Sequence, residues 1–344
     1  MIKASLVTER HNEKNFIFND IDKQDDLSDK FVKLKSYFDS HGFNLSTSDI
    51  NSIESSEIVI YASEMPTILP KDKDIKKSFI ILSESHFIKP SNFDKKKHKF
   101  FNLIFTWNDD LVDESKYIKL NLGRKFPKKI NKDLSLKKKF CTMITTNKYP
   151  PYSYKNELYS KRIEIIRWFE KNHPNCFDLY GIGWDTYRIS RPKILRLLNK
   201  SPLILKFLSK YFYKPFPSYR GRIDSKQKIL EKYRFSICFE NVKDIPGYIS
   251  EKIFHSFFAG CVPIYLGANN ILSYIPKNCF IDFRDFQDFN ELFYFIKNMS
   301  DKTFSKYLDN IEIYMNSNQS KQFTSDKFAD TVFNSIMKSI NQKG

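Results

Sequence analysis

The most constraining feature of the sequence is a strand, helix, strand pattern between residues 235 and 267. The runs FSICFEN (235–241) and VPIYLG (262–267) are short and apolar, which is typical of strands buried on both faces of a parallel sheet. Residues 248–259 predict an amphipathic helix between them, and Gly260 follows where a left-handed residue commonly ends a helix. The pattern predicts a βαβ unit, and therefore an α/β fold.

The same alternation extends over the rest of the chain and predicts two doubly wound domains. Strands are predicted at 57–61, 79–82, 101–105, 140–145 and 176–180, a helix at 157–171, and two or three amphipathic helices within 286–342. A chain of 344 residues with 41% hydrophobic residues can form two cores. A Lys-rich stretch at 128–139 marks a change of composition, so we place the domains at 1–136 and 137–344, with terminal helices that close the second domain or pack back on the first.

The net charge of +17 predicts an anionic partner, which is a nucleic acid, an anionic membrane or a phosphorylated substrate. Residues 186–217 contain eight Lys or Arg residues and no acidic residue, interspersed with apolar side chains. This segment is either an amphipathic membrane-binding element or a helical excursion packed on the second domain. A nucleic-acid-binding protein is the alternative function, although the sequence contains no motif of the common nucleic-acid-binding folds.

Cysteine and histidine spacing argues against disulfides and metal sites. The five cysteines are widely spaced and mostly lie in apolar runs, which indicates reduced thiols and a cytoplasmic location. No zinc-ligand spacing occurs among the cysteines and six histidines. Residues 1–13 are polar, without a signal peptide, and no apolar run reaches the roughly 18 residues of a membrane span, so we expect a cytoplasmic chain that is at most peripheral on the inner membrane face.

Polar residues at the end of the FSICF strand form the candidate binding site. In an open parallel sheet, ligands bind beyond the carboxyl ends of the strands, where Glu240 and Asn241 lie. Tyr248, Glu251 and Lys252 follow around the start of the next helix, where free N–H groups favour phosphate. Glu and Lys in a first helical turn are also common as a solvated pair, so the pattern alone leaves both interpretations open.

Residues 235–286, FSICFENVKDIPGYISEKIFHSFFAGCVPIYLGANNILSYIPKNCFIDFRDF, resemble the signature of the α-1,3-fucosyltransferases of glycosyltransferase family ten. The segment YSKRIEIIRWFEKNHPNCFDLYGIG (159–183) resembles the first helix and following strand of the family's donor domain. The resemblance implies a GT-B fold, with two Rossmann-like doubly wound domains facing a central cleft. It also implies GDP-fucose as donor and an oligosaccharide as acceptor.

The resemblance further implies roles for individual residues. Arg162 falls at the donor-phosphate arginine, and Asn241, Tyr248, Glu251 and Lys252 fall at positions that bind GDP-fucose. Glu84, in FIILSESHF, falls at the catalytic carboxylate, although His86 stands where animal members have Pro. The residues Trp107 to Asp110 are similar to an acceptor-side turn, with departures.

The implied reaction is an inverting transfer of L-fucose, with α-1,3 linkage to GlcNAc or Glc of a cell-surface glycan. Glu84 would act as general base, while Arg162 and Lys252 would stabilise the departing GDP. Fixed cations would replace a metal, so neither a metal nor another cofactor is expected. A different GDP-sugar on the same fold is the alternative donor, and the acceptor and linkage are not fixed by the sequence.

Overall fold

The computed structural model describes residues 1–19, 28–62, 64–148, 154–187, 189 and 193–342. Arg188 and Arg191 of the basic segment lie outside the described residues. The strands are β1 Ile2–Val7, β2 Phe43–Thr47, β3 Ile58–Tyr61, β4 Ser78–Leu82, β5 Leu103–Thr106, β6 Tyr117–Lys119, β7 Lys139–Ile144, β8 Phe177–Tyr180, β9 Tyr233–Phe239, β10 Val262–Leu266 and β11 Ile281–Asp282. The α-helices are α1 Asp29–Ser40, α2 Lys95–His98, α3 Tyr159–Asn172, α4 Pro202–Phe212, α5 Lys226–Leu230, α6 Glu251–Phe258, α7 Phe289–Lys297, α8 Asp301–Met315 and α9 Ser325–Asn341.

The chain forms two compact units. Unit 1 contains residues 1–126, residues 245–249 and the chain from Met315 onward, and unit 2 contains residues 127–244 and 250–314. The first division therefore lies ten residues before the predicted position at 136. The last helix, α9, belongs to unit 1, whereas α7 lies in unit 2.

Each unit is built on a parallel sheet. The strand order is β2-β1-β3-β4-β5-β6 in unit 1 and β11-β10-β9-β7-β8 in unit 2, and every pairing between named strands is parallel. Counted from its own first strand, each sheet follows the doubly wound order 2-1-3-4-5, which unit 1 extends by one strand. The predicted α/β class is confirmed.

The strands that the sequence did not predict are β1, β2, β6 and β11. The polar stretch 1–13 contains β1, which pairs with both β2 and β3 inside the sheet. Lys3 and Ser5 interrupt its apolar pattern, but Ala4, Ser5 and Leu6 are all fully buried. A sequence pattern does not reveal such a strand, since its burial comes from neighbours that are distant in sequence.

Alternating side chains place a core on each face of the unit 1 sheet. One face packs strand residues such as Ile60 and Phe79 against α1 and α9, where the rings of Phe38 and Phe333 lie 5.0 Å apart. The other face buries Ile80, Leu82 and Ile104. Because α9 completes the first of these cores, the end of the chain stabilises the unit that the start of the chain forms.

The predicted βαβ unit forms the centre of unit 2. The helix α6 buries Ile253, Phe254, Phe257 and Phe258 on the predicted face. It begins at Glu251, three residues later than predicted, because the chain before Ser250 belongs to unit 1. Gly260 adopts the predicted left-handed conformation, with φ of +60°.

We predict that Gly260→Ala destabilises unit 2 strongly. A Cβ at this position would lie 2.1 Å from the carbonyl oxygen of Asn131, so overpacking of about 1–3 kcal/mol adds to the backbone strain. Gly221→Ala is the matched control, because Gly221 also has a positive φ but its Cβ would meet nothing within 4 Å. Denaturant unfolding of both variants tests this, and an equal loss of unfolding free energy would contradict it.

Candidate active site

The strand order of unit 2 reverses between β7 and β9, which creates a topological switch point at their carboxyl ends. Doubly wound folds bind ligands in the crevice at this position. Thr145 follows the end of β7, and Glu240 and Asn241 follow the end of β9. The polar residues predicted from the sequence therefore lie at the part of the sheet where a ligand is expected.

Arg162 connects the two strand ends at the switch point. It lies on α3 and is 4% exposed. Its guanidinium donates from Nε and Nη2 to the carbonyl oxygen of Phe239, at 3.2 and 2.6 Å, and from Nη2 to Oδ1 of Asn241 at 3.1 Å. A third nitrogen, Nη1, lies 3.4 Å from Oγ1 of Thr145. These contacts fix a permanent positive charge in one orientation at the switch point.

Glu240 organises the start of α6 from inside the protein. The residue is fully buried, and its carboxylate accepts hydrogen bonds from Ser250 N at 2.8 Å, Ser250 Oγ at 2.6 Å and Lys252 Nζ at 3.1 Å. It thus fixes the residue before the helix and the ammonium in its first turn. The sequence placed Glu240 at the strand end but did not indicate that Ser250 would hold it.

Lys252 remains cationic although it is largely removed from water. Burial disfavours the charged form, but the carboxylates of Glu240 and Glu251 outweigh that effect and raise the pKa of the lysine, while the charge of Arg162 acts in the opposite direction. Glu251 Oε1 lies 3.6 Å from Nζ of Lys252. The predicted residues Arg162, Asn241, Glu251 and Lys252 therefore occupy one region of unit 2, where two cations and a helix N-terminus can receive an anion.

Tyr248 belongs to unit 1, whereas the other predicted donor-binding residues belong to unit 2. The segment 245–249 is part of unit 1, and Tyr248 is 4% exposed with its ring 4.7 Å from that of Trp107. Gly247, at φ +78°, brings the backbone so close that a Cβ would lie 2.3 Å from the carbonyl oxygen of Trp107. The sequence missed this placement because its pattern indicated Tyr248 as the first residue of the helix.

Glu84 lies in unit 1, directly beyond the carboxyl end of β4, and is partly buried. Its main-chain oxygen accepts a hydrogen bond from Asn92 Nδ2 at 3.2 Å. The preceding carbonyl, that of Ser83, accepts one from Trp107 Nε1 at 3.0 Å. The loop that carries the predicted base is therefore held on both sides of the Cα of Glu84.

Asp109, at the end of the neighbouring strand β5, has a carboxylate that is already engaged. Asp109 Oδ1 accepts from Lys119 Nζ at 2.5 Å, and burial lowers the pKa of this lysine although Asp109 opposes the change. The main-chain N–H of Asp110 donates to Oδ1 of Asn108. The region that the sequence assigned to an acceptor-side turn is thus a hydrogen-bonded end of β5.

The described part of the chain contains neither a metal-binding cluster nor a membrane-spanning helix. Within it, His, Cys, Asp and Glu side chains form no group of three or more that could hold a metal ion. Among the same residues, no helix combines the length and hydrophobicity that crossing a bilayer requires. All five cysteines are free thiols.

Solved glycosyltransferase structures share this architecture. The structure of an α1,3-fucosyltransferase matches with a TM-score of 0.56 at 15% identity, over 98% of this chain and 90% of that chain. An α-glucosyltransferase in complex with UDP matches with a TM-score of 0.54 at 10% identity, over 98% of this chain and 100% of that chain. At such identities the likeness establishes the fold, which is the GT-B fold of glycosyltransferases.

Sequence comparison gives a family match over part of the chain. Residues 190–341 match the model of glycosyltransferase family 10 (fucosyltransferase) C-term. The match includes Asn241, Tyr248, Glu251 and Lys252, whereas Glu84 and Arg162 lie before it. The family resemblance seen in the sequence is confirmed.

Curated relatives are similar over a shorter range. An α-(1,3)-fucosyltransferase FucT of Helicobacter pylori is 33% identical over 75 residues, and an α-(1,4)-fucosyltransferase of Arabidopsis thaliana is 33% identical over 72 residues. These alignments cover 22% and 21% of this chain and only 16% and 18% of the two relatives. A mouse 4-galactosyl-N-acetylglucosaminide 3-α-L-fucosyltransferase 9 is 40% identical over 79 residues, or 22% of this chain and 21% of the relative.

We predict that Glu240→Ala destabilises unit 2 by about 3–5 kcal/mol, because the variant leaves the Lys252 charge and the Ser250 donors without their buried carboxylate. Glu251→Ala is the control on the same helix, since its 3.6 Å ion pair with Lys252 is partly exposed and contributes less than about 1 kcal/mol. Denaturant unfolding measures both variants. Equal losses of unfolding free energy would contradict the organising role of Glu240.

Proposed function

We propose that this protein is a glycosyltransferase that transfers L-fucose from GDP-fucose to a hydroxyl group of an oligosaccharide. The observation that carries the proposal is the match of residues 190–341 to the fucosyltransferase C-terminal domain. It is supported by the two cations Arg162 and Lys252, which are fixed at the switch point of the unit 2 sheet. One solved α1,3-fucosyltransferase of the same fold is a complex with GDP-fucose. Fucosyltransferase relatives occur among bacteria, plants and mammals.

The chemistry follows from the charges in unit 2. A leaving diphosphate gains negative charge as the bond to fucose breaks, and cations that are already oriented stabilise this charge without reorganisation. Arg162 and Lys252 supply such cations, and Asn241 is oriented beside Arg162. No step in this scheme requires a metal ion, so we propose that transfer continues in the presence of a chelator.

Glu84 is proposed as the general base. It would remove the proton from the acceptor hydroxyl as that oxygen attacks the anomeric carbon on the side opposite GDP, so that the configuration inverts. Glu251 and Tyr248 are kept as proposed donor contacts, although the burial of Tyr248 against Trp107 also fits a structural role in unit 1.

The acceptor is proposed as a class only. We propose a cell-surface glycan with α-1,3 linkage to GlcNAc or Glc, on the basis of the α-1,3-specific names of two relatives. Other relatives are named for an α-(1,4) linkage and for protein O-fucosylation. The family match begins at residue 190, so it leaves out most of unit 1, including Glu84.

Two alternatives have separate tests. A different GDP-sugar donor is excluded if only GDP-fucose is consumed in a panel of GDP-sugars with N-acetyllactosamine-type, lacto-type and hexose acceptors. A nucleic-acid-binding function would instead give tight, salt-sensitive oligonucleotide binding without GDP binding.

Mass spectrometry of the acceptors, with and without chelator, tests the main proposal. Absence of a deoxyhexose product with every acceptor would contradict it.

We predict that Arg162→Gln and Lys252→Gln each weaken GDP binding about tenfold or more, because each removes a charge-assisted contact of about 1.5–3 kcal/mol. Arg167→Gln is the control, since Arg167 lies on the same helix but donates to Glu170 and to the carbonyl oxygen of Pro215. Calorimetric titration with GDP measures the effect. Unchanged affinity in both site variants, with folding intact, would remove these residues from the site.

We further propose that α4 attaches the enzyme to an anionic membrane surface on the cytoplasmic side. Leu203, Phe207 and Tyr211 are 80%, 61% and 62% exposed and recur at helical spacing. Lys206 and Lys210 lie beside them on the same helix. Apolar side chains flanked by lysines at helical spacing are typical of helices that lie in the membrane interface.

We predict that the triple variant Lys206→Glu, Lys210→Glu, Lys214→Glu loses binding to vesicles that contain anionic phospholipid. Wild-type binding should weaken as salt rises and should be poor on neutral vesicles. The matched control changes Lys95, Lys96 and Lys97 to Glu, which alters the total charge equally at a different part of the chain. Equal sedimentation of the two variants with anionic vesicles would contradict membrane binding through α4.

A further inference from the structure

A buried asparagine in unit 1 controls the loop that carries Glu84. Asn92 is 0% exposed, and its side chain bridges two backbone segments. Its Nδ2 donates to the main-chain oxygen of Glu84 at 3.2 Å, and its Oδ1 accepts from the main-chain N–H of Met65 at 2.8 Å. A buried amide that satisfies both of its ends in this way fixes the distance between the segments that it joins.

The hydrogen bond to Glu84 affects the direction of the Glu84 side chain. Because the peptide unit is planar, a fixed carbonyl oxygen at residue 84 restricts the ψ angle of that residue. The carbonyl of Ser83 is held independently by Trp107 Nε1 at 3.0 Å, so the peptide planes before and after the Cα of Glu84 are both restrained. The main chain alone therefore gives the Cα–Cβ bond of Glu84 a defined direction.

Asn92 is in turn held by a histidine and a tyrosine. His98 Nε2 lies 2.8 Å from the main-chain oxygen of Asn92, and its Nδ1 lies 3.0 Å from the hydroxyl of Tyr117. His98 is 1% exposed, and burial lowers the pKa of its imidazole. A neutral ring with this geometry donates from Nε2 to the carbonyl and accepts from Tyr117 at Nδ1. The network links the β6 strand of Tyr117 to the loop of Glu84.

We propose that Asn92 is a positioning residue for transfer, which orients the general base Glu84 through its main chain and is itself fixed by His98 and Tyr117. This inference rests on the proposed function, because Glu84 matters only if a carboxylate at that position takes the acceptor proton. The expected size follows from base geometry: displacement of a catalytic group by about 1 Å can reduce the rate about 100-fold.

The test is a double-mutant cycle between Asn92 and Glu84. Asn92→Asp keeps the shape and the acceptor for Met65 but replaces the donor to Glu84 with an oxygen. We expect kcat to fall about 10- to 100-fold, with the affinity for GDP unchanged. Glu84→Gln alone should lower kcat by about 100-fold or more. When Asn92→Asp is added to Glu84→Gln, the further loss should be less than about twofold, because the group that it positions is already inactive.

The matched control is Asn51→Asp. Asn51 is also a buried amide of unit 1, 4% exposed, and it donates to the carbonyl oxygens of Ala4 and Asn44. This variant carries the same chemical change at a purely structural bridge, so any general destabilisation of unit 1 appears in it too. Equal losses of kcat in the two Asp variants, or a full additional loss in the Glu84→Gln background, would overturn the positioning role.

A second readout does not depend on activity. Amide hydrogen exchange of the peptide that covers residues 83–89 should become faster in Asn92→Asp and stay unchanged in Asn51→Asp. If wild-type protein transfers no sugar, the proposed function fails. Separately, unchanged amide hydrogen exchange of residues 83–89 in Asn92→Asp would show that Asn92 does not hold this loop. If transfer occurs and Glu84→Gln is as active as wild type, the base assignment fails and the positioning role fails with it.

Discussion

The architecture of the candidate site depends on one buried carboxylate. Glu240 is fully enclosed at the end of β9 and binds the N–H and hydroxyl of Ser250 and the ammonium of Lys252. A carboxylate removed from water is stable only if its partners are in place, so the start of α6 and the position of Lys252 are fixed together. The same carboxylate keeps Lys252 charged, since it raises a pKa that burial alone would lower.

The second cation is fixed by different contacts. Arg162 reaches the switch point from α3 and donates to the Phe239 carbonyl and to Asn241, the residues on either side of Glu240 in the chain. The end of β9 thus determines the position of both cations, although one comes from α3 and the other from α6. Positive groups that are oriented before the ligand arrives are the kind of arrangement that stabilises developing phosphate charge.

The sequence predicted the centre of unit 2 well, but it missed β1 and the placement of Tyr248 in unit 1. The apolar runs of β9 and β10 and the apolar face of α6 are local patterns, so they and the left-handed Gly260 followed directly from the residues. Tyr248 could not be placed, because its burial against Trp107 depends on a contact between residues about 140 positions apart. β1 was missed for the same reason, since the neighbours that bury its polar residues lie elsewhere in the chain.

The most direct test of the nucleotide site is calorimetric titration of the wild-type protein with GDP, guanosine and UDP. If Arg162 and Lys252 receive a diphosphate, GDP should bind about 100-fold or more tightly than guanosine, which lacks the groups that these cations contact. UDP should bind more weakly than GDP if the site takes a guanine nucleotide. No GDP binding, or equal affinity for GDP and guanosine, would contradict the claim that the switch point of unit 2 is a nucleoside diphosphate site.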